Sequence, residues 1–263
     1  MITNHHAYIT EATRLRTLYA HHIKILVGFE CEWIRASDAP FIRSLTPAVD
    51  LFLGSVHHVH EIPIDFDRDM YKEARKQSGG TDEALWEDYF DAQYDMLVEL
   101  RPPVVAHFDL IRLYADDKNK DRDLRTFSRV WKKVMRNLEY CSKQGLMIEV
   151  NSAALRKGLK EPYPGRSVCE VSSQELGGVD HLLTHSQEFL KMDGKFTLSD
   201  DSHGIDQVGL NFNRVQQYLM DVGIKQLWFF ERDRNGDLAD RSVQVAGLQL
   251  DAHPATAPPQ AQL

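Results

Sequence analysis

Short apolar runs alternate along this chain with longer stretches in which apolar positions recur every three or four residues. The runs are Ile23–Phe29, Leu51–Val56, Val104–Ala106, Leu146–Val150, Phe196–Leu198 and Ile224–Phe230. Each is short and flanked by polar turn residues, the pattern of parallel strands buried on both faces. Between them, Leu85, Tyr89, Ala92 and Met96 are spaced 4, 3, 4, and Phe127, Trp131, Val134, Leu138 and Cys141 are spaced 4, 3, 4, 3. These are helical stripes that cover a sheet face. Further helices are expected over Tyr8–His21 and through Phe212, Val215, Leu219 and Val222.

The order is thus helix and strand in alternation, which implies a parallel sheet with right-handed crossovers, either open or closed into a barrel. No glycine fingerprint follows a strand, so a dinucleotide fold has no support and a parallel α/β barrel is the expectation. Asp116–Asp121 reads as a charged, solvated loop. Pro162 and Pro164 exclude a continuous helix from Lys157 to Arg166. One domain is expected over residues 1–251, with a disordered tail over 252–263 that carries Pro254, Pro258 and Pro259.

Composition narrows the function. At 263 residues and 43% hydrophobic content the chain can bury one large core. A formal net charge of -8 argues against nucleic acid and against an anionic membrane as partners. Three scattered cysteines form neither a disulfide framework nor a zinc knuckle. With no long apolar span and no signal sequence at Met1, a cytoplasmic protein acting on a small substrate is expected.

The chemistry lies where strands end. Glu30 follows Val27-Gly28-Phe29, with Glu32 as a competing carboxylate two positions on. His57 ends the second run within Gly54-Ser55-Val56-His57-His58-Val59-His60, and comes directly off the strand, unlike His58 and His60. His107 ends the third in Ala106-His107-Phe108-Asp109. Asp201-Ser202-His203 follows the fifth, with Asp200 as an adjacent alternative and Gly204 expected to allow a tight turn. Independent accidents should not place histidine at the same point of successive β-α units. Imidazole and carboxylate without thiolate suit a catalytic zinc, manganese or iron site, and such a metal lowers the pKa of water for hydrolysis. Arg112 and Arg156 are candidates for phosphate binding. Glu149 and Asn151 alternate onto one strand face, so both can reach the mouth, although Glu149 is equally readable as a buried structural partner.

Taken together, Gly28-Phe29-Glu30, Gly54-Ser55-Val56-His57, Ala106-His107-Phe108-Asp109, Glu149-Val150-Asn151-Ser152 and Asp201-Ser202-His203 resemble the histidinol-phosphate phosphatases of the polymerase and histidinol phosphatase (PHP) superfamily. The resemblance runs from about Tyr8 to Phe230. It implies a parallel (β/α)7-type barrel, incomplete at the N-terminus, with a divalent metal cluster of zinc, manganese or iron. It also implies hydrolysis of L-histidinol phosphate to L-histidinol and phosphate in histidine biosynthesis. Glu30, His57, His107, Asp201 and His203 would be metal ligands, with His107, Asp201 and His203 at the catalytic centre, and Arg112, Arg156 and Asn151 on the substrate. The family's first-strand His-x-His pair has no counterpart here: His5 and His6 are adjacent and precede a predicted helix. The alternatives are a truncated or non-catalytic paralogue that keeps the scaffold, and another metal-dependent phosphoesterase or amidohydrolase.

Overall fold

The computed structural model describes residues 2–169, 189, 193–248 and 250. In chain order its strands are β1 (Gly28–Glu32), β2 (Leu51–Ser55), β3 (His58–Val59), β4 (Ile62–Pro63), β5 (Val104–Val105), β6 (Met147–Asn151), β7 (Lys195–Ser199), β8 (Gln226–Arg232) and β9 (Leu238–Gln244). Five of them form one sheet in the order β1-β2-β5-β6-β7, every neighbouring pair parallel. This is the α/β scaffold with a parallel sheet that the alternation implied. Because all five run the same way, their C-terminal ends share one edge of the sheet, the usual place for chemistry in α/β folds.

The helices are α1 (Ile2–Leu18), α2 (Ala39–Leu45), α3 (Arg68–Gln77), α4 (Asp82–Leu100), α5 (Ser128–Gln144), α6 (Ala153–Arg156), α7 (Arg166–Cys169) and α8 (Phe212–Asp221). Helix α4 starts where the Thr81 hydroxyl accepts the Ala84 N–H at 3.1 Å, an N-cap that satisfies one of the free donors of the first turn. It stops at Arg101, in the left-handed region with φ 48, just before Pro102. Its stripe buries Leu85, Trp86, Tyr89, Phe90, Met96 and Leu97. Val130, Val134, Leu138 and Cys141 of α5 join them in the core. The approach is close enough that Gly54 of β2 has no room for a side chain: a Cβ there would lie 2.6 Å from Pro102 Cγ and 2.9 Å from Met96 Sδ.

Three expectations change. The first strand begins at Gly28, not Ile23. Its partner β2 begins at Leu51, opposite Gly28, and ahead of that the Asp50 carboxylate accepts the Val27 N–H at 2.7 Å, taking the place of a ladder bond. Ile23 is left 59% exposed. The sixth run does not extend the parallel sheet: β8 pairs along its whole length with β9, antiparallel, around a turn in which Gly236 has φ 88. Asn235-Gly236 in that turn is the hairpin signal that would have found β9. Helix α1 reaches back to Ile2, so His5 and His6 lie within it.

The Asp116–Asp121 segment is turn, as expected, but it is anchored. The fully buried Asp82 carboxylate accepts the Asp116 N–H at 3.0 Å, the Asn119 amide at 2.8 Å and Arg75 Nη1 at 3.0 Å. The three cysteines are free and buried. The tail from Ala252 lies outside the described residues. Among the described residues no helix is long and apolar enough to cross a membrane.

Candidate metal centre

Glu30 comes from β1, His57 from two residues past β2 and His107 from two residues past β5, three adjacent strands of the sheet. Their ligand atoms all lie within 4.8 Å of one another. Glu30 Oε1 is shared between the two rings, 3.0 Å from His107 Nε2 and 3.6 Å from His57 Nε2. The competing carboxylate, Glu32, instead meets His58 Nδ1 at 2.9 Å. His60 turns away to Asp88 at 2.8 Å and Ser78 at 3.0 Å.

The donor set fits a divalent cation. The Ser55 hydroxyl donates its one proton to the Cys31 carbonyl at 2.7 Å. At 3.3 Å from His57 Nδ1 it must therefore accept, which fixes the proton on Nδ1 and leaves a lone pair on Nε2, facing Glu30. His107 Nδ1 is buried without a hydrogen-bond partner among the described residues. Two imidazoles and a carboxylate with no thiolate are the ligand chemistry of an open catalytic site.

Charge is distributed to match. Burial raises the Glu30 carboxyl, but the hydrogen bond and charge of His107, with His57, bring it down to about 2. Burial and the neighbouring His107 lower His57 to about 4. Burial also opposes the charged form of His107, yet Glu30, Glu149 and Asp201 outweigh it and raise its pKa. The Glu30 carboxylate thus favours the charged form of His107, whereas burial and His107 disfavour that of His57.

His107 is held in a strained backbone conformation, φ 23, in the region that disfavours L side chains. The surroundings fix it from both sides. Its N–H donates to the buried Glu149 carboxylate at 2.7 Å. The next carbonyl, of Phe108, accepts from Gln93 Nε2 at 2.8 Å and from the Tyr89 hydroxyl at 3.3 Å. Asn137 of α5 in turn donates to Gln93 Oε1 at 3.0 Å. Of the two readings of Glu149, the structure supports the buried partner.

The remaining candidates are placed differently. Asp201 also has a left-handed backbone, φ 49, and its charge reaches His107. Its carboxylate pairs with His203 Nε2 at 3.1 Å, and the His203 side chain is 75% exposed, outside the three-residue cluster. The turn here is made by Asp201 and not by Gly204, whose φ of -165 any residue adopts. Asp200 caps the turn through Ser202 N–H at 3.2 Å. Arg156 Nη2 donates to the Asp201 carbonyl at 2.9 Å. Arg112 is buried and committed to Asp109, 2.7 Å from Nε to Oδ2, and to the Pro162 carbonyl at 3.2 Å. Asn151 has both side-chain ends occupied, by Glu149 at 3.0 Å and the Ala153 N–H at 2.8 Å. In the structure, then, both side chains are bonded to neighbouring groups of the protein. Sequence reasoning missed Tyr163, whose ring stands edge-on to His107 at 6.3 Å, and the Gln93–Asn137 pair. Buried polar residues inside apolar helical stripes were the available signal for that pair.

Known proteins resemble this chain over most of its length. The PHP domain model matches residues 1–153. The probable histidinol-phosphatase of Schizosaccharomyces pombe is 37% identical over 232 residues, covering 88% of this chain and 70% of the relative. The histidinol-phosphatase of Saccharomyces cerevisiae is 29% identical over 241 residues, covering 82% of this chain and 67% of the relative. A solved histidinol phosphate phosphatase from Lactococcus lactis, complexed with zinc, L-histidinol and phosphate, shares the fold with a TM-score of 0.62 at 17% identity. It covers 89% of this chain and 78% of its own.

Proposed function

The chain belongs to the PHP domain family, and from that premise we propose that it hydrolyses a small phosphate monoester, L-histidinol phosphate, to L-histidinol and phosphate with a divalent metal cofactor. The observation that carries this reading is the convergence of Glu30, His57 and His107 from three adjacent strand ends, their ligand atoms within 4.8 Å. The relatives' shared activity supplies the substrate.

Glu30, His57 and His107 would hold the metal in this reading, and Asp201 and His203 would extend the ligand set from the end of β7, beyond β6 in the sheet. A divalent cation here supplies a hydrolytic nucleophile at neutral pH and offsets phosphoryl charge, and zinc, manganese and iron suit these ligands. The protein's own part is orientation. Ser55 fixes the His57 tautomer, Glu149 holds the His107 backbone, and Arg156 holds the Asp201 carbonyl. Arg156 is the arginine best placed to meet the phosphate as well, since Arg112 is buried against Asp109. The substrate and the chemistry are those of the cytoplasm.

Purified protein loaded with zinc or manganese and given L-histidinol phosphate should release phosphate, measured colorimetrically. Glu30→Gln and His107→Ala should each abolish that release while the protein stays folded. Metal-loaded protein that turns over no phosphate monoester would overturn the reading.

A further inference from the structure

Tyr163 sits beside His107 in the wall of the site, and among the described residues its hydroxyl has no hydrogen-bond partner. Its backbone pairs with Asn151 in both directions, Asn151 N–H to the Tyr163 carbonyl at 2.7 Å and Tyr163 N–H to the Asn151 carbonyl at 3.1 Å. This antiparallel bridge is made at the last residue of β6. The ring then stands edge-on to the His107 imidazole, centroids 6.3 Å apart, with the Arg112 guanidinium 5.8 Å from its centre. The residue is 0% exposed, and its hydroxyl has no hydrogen-bond partner among the described residues. A buried hydroxyl without a partner is costly, and natural proteins keep one where something else supplies the acceptor.

We infer that the Tyr163 hydroxyl is a substrate-contacting donor, giving its hydrogen bond to a phosphoryl oxygen of the bound monoester. This rests on the phosphatase reading above. The phenol is suited to donate, not accept: burial raises its pKa, and the charges of Asp109, Asp65 and Asp201 oppose its ionisation against the pull of Arg112. It remains a neutral O–H at any pH at which the enzyme works. A preformed donor held rigid by the Asn151 bridge acts on developing phosphoryl charge without reorganising, the kind of contact that favours a transition state over a ground state.

Tyr163→Phe keeps the ring, its edge contact with His107 and its face beneath Arg112, and removes only the hydroxyl. Three measurements on metal-loaded wild type and variant decide the matter: steady-state kinetics on L-histidinol phosphate, calorimetric titration with inorganic phosphate, and thermal melting. The expected result is a kcat about 100-fold lower with a smaller change in KM. Phosphate affinity should fall about tenfold, and the melting temperature should stay equal to or above that of wild type, since no protein partner is lost. Unchanged kcat and phosphate affinity would overturn the inference while leaving the phosphatase reading intact, as would a lowered melting temperature with unchanged phosphate affinity. If wild type turns over no monoester, the phosphatase reading falls, and the phosphate titration still decides whether this hydroxyl meets phosphate.

Discussion

At the scale of single residues, the centre is a set of proton positions that a cation must displace. Glu30 at about 2 and His57 at about 4 carry no ligand-blocking proton near neutrality. Of the three, His107 is the ligand whose proton competes longest as pH rises, because Glu30, Glu149 and Asp201 raise its pKa. A raised imidazole pKa means that metal competes with a proton below that value and no longer does above it. Metal affinity should therefore rise with pH through neutrality and level off once His107 is deprotonated, and binding should release a proton. Calorimetry in two buffers of different ionisation enthalpy reads this directly, and a pH-independent affinity between pH 6 and 8 would contradict it (about one proton is expected, from His107 alone). Removing a ligand is more drastic. Both Glu30→Gln and His107→Ala should lower phosphate release by at least ~100-fold, with metal content measured by elemental analysis falling in parallel.

At the scale of elements, the site depends on polar side chains that reach between helices, loops and strand ends. Asp82, the first residue of α4, is the clearest case. Its buried carboxylate ties α3 through Arg75 to the loop at Asp116 and Asn119. Replacing it by alanine leaves Arg75 with only the exposed Asp116 carboxylate and takes the acceptor from the Asp116 N–H and the Asn119 amide. Asp82→Ala should cost about 3 kcal/mol in urea denaturation, and Asp82→Asn less, because the amide oxygen still accepts. None of this was legible in the chain's pattern, where Asp116–Asp121 looked merely charged and solvated. The strands and helices that bury apolar stripes were legible, since periodicity reports which face is apolar. The same signal brought Glu30, His57 and His107 to one edge, because parallel strands align their C-terminal ends. What it could not report is pairing: β8 is as apolar as its parallel counterparts, and only its partner β9 makes it a hairpin. Nor could it report commitment, so Arg112 and Asn151 looked available until Asp109, Glu149 and the Ala153 amide were seen to hold them.

At the scale of the whole molecule, the proposed metal adds a further tie between strands already joined by backbone ladders and by side-chain contacts such as that of Ser55 with the Cys31 carbonyl. β1, β2 and β5 each contribute one ligand, so a bound cation ties together three separate stretches of chain. A ligand that binds only the native state adds RT ln(1 + [L]/Kd), about 2.7 kcal/mol at a hundredfold excess over Kd. Chelation should accordingly lower the melting temperature by several degrees, followed by differential scanning calorimetry with and without added zinc. A melting temperature indifferent to chelator would argue that the three residues hold no ion. The left-handed backbones of His107 and Asp201 reach further than the site itself. At φ 23 and 49, glycine is the residue that the main chain alone would choose. His107→Gly should be more stable than His107→Ala by about 1 kcal/mol in urea denaturation, although both lack the imidazole. A lineage relieved of turnover would gain stability by drifting to glycine at these two turns. With histidine and aspartate there, the molecule forgoes that stability at the two places where a metal site would repay it.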